Sequence, residues 1–438
     1  MEITMQKKVI PIVLLFILII LGGGFLGYYQ GMEEANSVVA VSQIVIPENY
    51  EMKLVSEQFA PYFKKTAKIT AVGDIMLHKW QIERGYEKAT DSFDFAESFT
   101  YIKPYLSEAD YTVGNLELTM AGRNQNHSGT AILGYTDYPC FNAPEVIAKN
   151  LKDVGVDLVS TANNHSLDSG IQGVYSTISY LDKAGLEHVG SYKSQEAKQS
   201  KIVNINGINF GFCGYTNITN GFQVPSDQSF ALNTLNEYND AKIKAMCNEV
   251  RQLKQDGAEV VVPILHFGNE YVKDPDNHQK DVVDQLFLAG ADIILGSHPH
   301  VLQPFEVRNF VDENGVSKTG VVIYSMGNFI SSQRFNSQGE IAKDIGVVLD
   351  VTVSKVDNQI SIDEIAFTPT YVYWTDDVIG VLPVCEVYHN MEKYKNVLDE
   401  TGKQRITWAY KNSVKHLVKN PNYETTYENN KYHIILKK

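Results

Sequence analysis

Five apolar runs along this chain end in the same way, in polar residues able to bind a metal or a proton. The endings are Gly73-Asp74, Gly114-Asn115-Leu116-Glu117, Asn163-Asn164-His165, His266 and His298-Pro299-His300. The runs before them, KITAVGDIML, EVVVPILHFG and DIILGSHPH among them, are apolar at successive positions, so both faces of each must be covered. Helical patterns at 171–184, 238–255 and 278–289 lie between them, and the first stops before Gly185. Such alternation specifies an α/β fold, in which ligands sit at the carboxyl ends of the strands, where loops aim side chains into one crevice. The five endings are therefore expected to converge.

The remaining patterns fit around that sheet. KIVNI and INFGFCGYT flank Asn206-Gly207, a turn pair favoured in two-residue loops, and read as a hairpin. Residues 344–372 read as antiparallel strands closing one sheet and 386–419 as helix, while the tail beyond carries no clear pattern. A length of 438 residues, 44% of them apolar, suffices for a full core. The expected organisation is one domain over 67–375, a stalk over 30–66 before it and a helical extension over 376–438 after it.

Residues 9–26 carry no charge and, with a weaker continuation to residue 29, can cross a hydrocarbon core of about 30 Å. A cleaved signal peptide is the alternative, but its apolar region is shorter, about 7–15 residues, and no small-residue cleavage site follows. The expectation is an uncleaved transmembrane helix over 9–29. Lys7 and Lys8 precede it and Glu33 and Glu34 follow, which leaves residues 1–8 in the cytoplasm. The chain is thus expected to be a single-pass protein of the cell membrane with its domain outside.

Beyond residue 30 there remain 36 basic and 51 acidic groups, a net charge of −15. Nucleic acid, which needs a basic stripe, is excluded as a partner. A polyanion would need metals or a local cluster of bases, for which Arg123, Arg334 and Lys343 are near the endings in sequence. Cys140, Cys213, Cys247 and Cys385 are too few and too scattered for a disulfide framework and are read as core thiols.

The endings together offer two carboxylates, an amide oxygen and several imidazoles, without a thiolate. That set suits two divalent transition metals. A pair of ions about 3.5–4 Å apart can activate a water and clamp both the attacking and the leaving oxygen of a displacement. In an extended His298-Pro299-His300 segment both imidazoles face one way and each can take one ion. Singly, the pieces have plainer readings: a turn at Gly73-Asp74 and at Asn163-Asn164, a solvated loop at Asn115 and Glu117, a core histidine at His266. Asp168 reads as the N-cap of the next helix. The argument for chemistry rests on their conjunction.

The strings GDIMLH (73–78), GNLE (114–117), NNHSLDSG (163–170), HFGNEY (266–271), GSHPHVLQP (296–304) and YSMGNF (324–329) resemble, in that order, the motifs of the CapA family of poly-γ-glutamate capsule synthesis proteins. That family in turn resembles the calcineurin-type metallophosphatases. The resemblance implies a metallophosphatase-like β-sandwich flanked by helices, holding two ions of manganese, iron or zinc. It implies Asp74 and His300 on the first metal, Glu117 as the bridging carboxylate, and Asn164, His266 and His298 on the second. His165 would be the catalytic imidazole. His78, Asn115, Glu270 and Asn328 lie within the same strings as further candidates. Two departures stand out. Asp74 and His78 lack the D-x-H spacing and, in an extended chain, would be roughly 13 Å apart; and GNLE replaces GDxxD.

Two function classes follow. One is a metal-dependent hydrolase or transferase acting outside the cell on a phosphoester, an amide or a cell-surface polymer. The other is a non-catalytic subunit of capsule assembly that binds poly-γ-glutamate beside a membrane synthase, its metal site structural or vestigial.

Overall fold

Strand Lys65–Ile75 is buried along all but its first residues because it runs through the middle of a sheet. In the computed structural model, which describes residues 64–125, 128–198, 201–338, 340–419 and 423–436, it pairs antiparallel with Ile345–Val356 on one side and parallel with Tyr111–Leu116 on the other. The sheet continues in parallel through Leu158–Ser160 to Glu187–Val189, and antiparallel through Gln359–Trp374, Lys431–Ile434 and Thr425–Glu428. A second sheet has the order Leu302–Val311, Ser317–Met326, Ile293–Ser297, Val260–His266, Ile208–Thr216, Lys201–Ile205.

The two sheets pack face to face. Ile69, Val113 and Leu349 of the first meet Phe210, Val262 and Ile323 of the second in one apolar core. Because successive side chains on a strand alternate, neighbouring residues line the outer faces. Val72 and Leu116 pack outward with Ile147 and Leu151 of helix Val146–Asp153. Val261 and Ile294 pack outward on Met246 of Asp240–Gln255 and Val283 of Asn277–Leu288. Covering on both faces is why these runs read as uninterrupted apolar sequence. The expected α/β sandwich flanked by helices is the observed one.

Local signals hold as expected at several places. Helix Gly170–Ala184 ends at Gly185 in a left-handed conformation (φ 68°), which costs glycine little. Asn206 and Gly207, both at positive φ, turn the hairpin that pairs Ile205 with Ile208. All four cysteines are free and buried. Other expectations need correcting. Ser169, not Asp168, occupies the N-cap of Gly170–Ala184. Residues 376–438 are helical only in part. Helices Val384–His389 and Glu400–Leu417 are there, but Ile379–Pro383 and Lys431–Ile434 add strands to the first sheet. Strands of four and five residues leave little pattern in a sequence.

The transmembrane helix expected over 9–29 and nearly all of the stalk lie outside the described residues. Among the described residues no helix is long and apolar enough to cross a membrane.

Candidate metal centre

The carboxyl ends of strands from both sheets meet at one edge. Asp74 closes its strand at a point where the backbone shifts register against the neighbouring strand Asn328–Ile330. Gly73 makes that approach available, since a Cβ there would lie 1.9 Å from the Gly327 carbonyl oxygen. Asn115 and Glu117 end Tyr111–Leu116, Asn163 to His165 follow Leu158–Ser160, His266 ends Val260–His266, and His298 and His300 follow Ile293–Ser297. All are buried.

Two donor groups form there, and they share one residue. Asp74, Glu117 and His300 bring ligand atoms within 4.8 Å of one another, and so do Glu117, His266 and His298. Glu117 Oε1 is 3.6 Å from His266 Nε2 and 3.5 Å from His300 Nε2. Asn164 Oδ1 stands 2.9 Å from the same His266 nitrogen. Asn115 donates from Nδ2 to Asp74 Oδ1 (2.8 Å) and reaches His266 Nδ1 (3.2 Å). Asn328 Oδ1 and Asp74 Oδ2 both face His300 Nδ1, at 3.0 and 3.1 Å.

Burial dominates the electrostatics of the centre. Burial, with Asp74 beside it, pushes the Glu117 carboxyl well above its ordinary range. Burial also raises Asp74, but hydrogen bonding to His300 and from Asn115 outweighs it and the net direction is down. Burial and the neighbouring imidazoles drive His266 well below the ordinary histidine value and His298 to about 3, so both are neutral at physiological pH. Both Glu117 oxygens, Asn115 Oδ1 and His298 Nδ1 are buried without a hydrogen-bond partner. Each such atom costs about 1–3 kcal/mol when left unsatisfied. Bound divalent cations would satisfy them, and the residues present fit that requirement.

His298 and His300 reach their groups differently from the sequence expectation. The segment is not extended, since His298 has φ 100° and His300 φ 57°. The turn sends one imidazole to each donor group, and Tyr271 N–H donates to the Pro299 carbonyl between them (2.8 Å). Of the further candidates, Asn115 and Asn328 belong to the centre. Glu270 is exposed beside it. His78 lies in neither donor group. It begins helix Lys79–Arg84, and its Nδ1 accepts from Ser332 N–H (3.3 Å).

His165 stands against the edge of Phe141 (4.7 Å), its Nδ1 2.7 Å from Asp168 Oδ2. The same carboxylate oxygen accepts from Phe141 N–H (2.6 Å). Asp168 therefore orients an imidazole instead of capping a helix. The spacing His-x-x-Asp was visible in NNHSLDSG, but capping chemistry explained the aspartate equally well.

The model of the bacterial capsule synthesis protein PGA_cap family matches residues 68–333, well over half of the chain. The chain belongs to that family. The matched span contains all of the centre's residues named above. Over 266 residues, 60% of this chain, it is 30% identical to the capsule biosynthesis protein CapA of Bacillus anthracis and 31% identical to the PGA biosynthesis protein CapA of Bacillus subtilis (strain 168). The match spans 60% and 62% of those relatives. Among solved structures it is similar to the calcineurin-like phosphoesterase YfkN from Bacillus subtilis, at 16% identity and a TM-score of 0.40, over 80% of this chain and 98% of that one. A superposition at that level has no bearing on the chemistry.

Proposed function

We propose that this chain is a membrane-anchored, outward-facing protein of poly-γ-glutamate capsule formation whose buried centre is a two-metal, hydrolase-type site. The observation that carries the reading is Glu117, one carboxylate shared by both donor groups with neither oxygen hydrogen-bonded. A buried, unpaired carboxylate is costly, whereas one bridging two cations is compensated on both oxygens. Asp74 and His300 would hold one ion and Asn164, His266 and His298 the other, with Asn115 and Asn328 fixing the orientation of Asp74, His266 and His300. Manganese, iron or zinc, when bound, would lower the pKa of a water and stabilise charge on the reacting oxygens. The residues of the chain do the rest. His165, steered by Asp168 at Nδ1, keeps Nε2 for proton exchange with the substrate. The names of the relatives, capsule and PGA biosynthesis, favour poly-γ-glutamate as the ligand; a membrane synthase beside the span is part of the proposal.

Elemental analysis of the purified protein after incubation with manganese, iron or zinc should find about two ions per chain. Glu117→Ala should lose both. His165→Ala should keep the metal and lose roughly 10²–10⁴-fold in turnover on a panel of aryl phosphate mono- and diesters and poly-γ-glutamate. The second reading, a non-catalytic polymer-binding subunit, is favoured by His78, which lies outside both donor groups. Metal-loaded protein that turns over nothing in the panel yet binds poly-γ-glutamate would establish it over the first. A wild-type protein that takes up no metal would overturn both forms of the dimetal centre.

A further inference from the structure

The C-terminal helix Glu400–Leu417 lies outside the span matched by the family model, yet it borders the metal centre. His416 makes the join, its Nε2–H shared between the carbonyl oxygens of Lys273 (2.9 Å) and Leu302 (3.0 Å). Lys273 is two residues after Tyr271, whose ring is 6.2 Å from that of His300, and Leu302 is two residues after His300 itself. Between this helix and those loops is a cavity of about 330 Å3.

Its lining is unusual for this molecule. Three lysines, Lys273, Lys415 and Lys419, face one carboxylate, Glu340, in a chain whose net charge is −14. Lys419 is paired with Asp274 (2.6 Å). Lys415 makes no ion pair among the described residues. One wall is Trp408, held by the Arg405 guanidinium 4.5 Å from its ring, and Arg405 is itself fixed by two hydrogen bonds to Asp344 (2.8 and 2.9 Å). At the floor Ser413 is 3% exposed, and its hydroxyl has no partner. Leading from the cavity toward the centre, the Lys343 ammonium lies 4.9 Å from the Tyr271 ring, on the chain between the lining residues Ala342 and Ile345. Of the three bases noted in the sequence, Arg123 is paired with Asp91 and Arg334 rests on Trp374, which leaves Lys343 beside the centre.

The larger cavity, about 900 Å3, opens at the amino end of Val260–His266, and its lysines Lys254 and Lys318 are already paired with Asp292. It offers no lysine without an ion pair among the described residues.

We propose that helix Glu400–Leu417 builds, beside the metal centre, a subsite for a carboxylate-bearing chain, with Ser413 as its floor, Trp408 as its wall, and Lys273 and Lys415 at its rim. Lys343 continues the positive track to the metals. The ligand class rests on the proposed function, but the subsite can hold or fail independently of the metals. A γ-linked glutamate trimer, titrated calorimetrically into the whole chain at low salt, should bind saturably and perturb Trp408 fluorescence. The same γ-linked trimer with its α-carboxylates converted to carboxamides should not. The double variant Lys273→Gln/Lys415→Gln, altered only at exposed positions, should weaken binding roughly tenfold without changing metal content. His298→Ala, which disrupts the metal centre, should leave trimer binding in place. Undiminished affinity in the double variant overturns the subsite, as does a wild type that binds no trimer. Loss of binding in His298→Ala alone assigns the trimer to the metals and likewise overturns it, while the proposed function stands.

Discussion

His298, His300 and Tyr271 are all held at positive φ, which for residues with a side chain costs on the order of 1–3 kcal/mol each. The cost falls on the loops that carry two ligand imidazoles, and the Tyr271 N–H to Pro299 carbonyl bond fixes one strained loop with the other. At the same scale, His165 depends on Asp168. Asp168→Asn preserves shape while weakening the hydrogen bond that aims the ring, so turnover should fall roughly 10–100-fold with metal content unchanged. An unaltered rate in that variant would mean that the imidazole needs no orienting partner. The residues that meet at the centre were legible in the sequence because each ends an apolar run. Their backbone conformations were not, since positive φ at a histidine is imposed by tertiary packing and has no composition signal, unlike the glycine at 185.

At the scale of elements, the C-terminal hairpin matters more than its length suggests. Lys431 reaches inward to Asp350 (2.7 Å) and Glu108 (3.1 Å), and Asp350 also accepts from Thr70 on the central strand. Lys431 and Asp350 are 7% and 3% exposed. Lys431→Met would strand a buried carboxylate and should cost about 3–5 kcal/mol in chemical denaturation. A loss under about 1 kcal/mol would show instead that the pair behaves like a surface salt bridge. Burial lowers the Lys431 pKa, but Asp350 and then Glu108 override it and the net direction is up. A raised lysine contributes stability that is present below the unfolded value near 10.4 and lost as pH rises beyond it. The hairpin escaped sequence reading because its strands alternate weakly and pair at long range, whereas the interior strands announced themselves by burial on both faces. Helices with sharp signals, Asn239 and Asp276 at their starts and Gly185 at an end, were placed to within two residues.

For the whole molecule, the family, the two-sheet architecture and the convergence of the five endings were all available from the sequence. The basic cavity was not, because it is assembled from four segments separated along the chain. Orientation to the membrane is the remaining expectation at this scale, and it rests on residues outside the described structure. The uncharged run at 9–26 follows Lys7 and Lys8, and the flanking pair of glutamates comes after it. Lysines resist transfer across the bilayer and so fix the side on which the short N-terminus stays. A run of that length satisfies a core of about 30 Å as one helix, so everything beyond it should be delivered to the other side. A phosphatase reporter that folds only after export, fused at residue 60, should be active. The same fusion with Lys7→Glu and Lys8→Glu should lose a large part of that activity, because the charge difference across the span is then removed. Cytoplasmic activity of a complementary reporter at residue 60 would reverse the topology. Release of the wild-type chain into the medium would mean that the segment is cleaved, leaving the centre outside the cell but untethered.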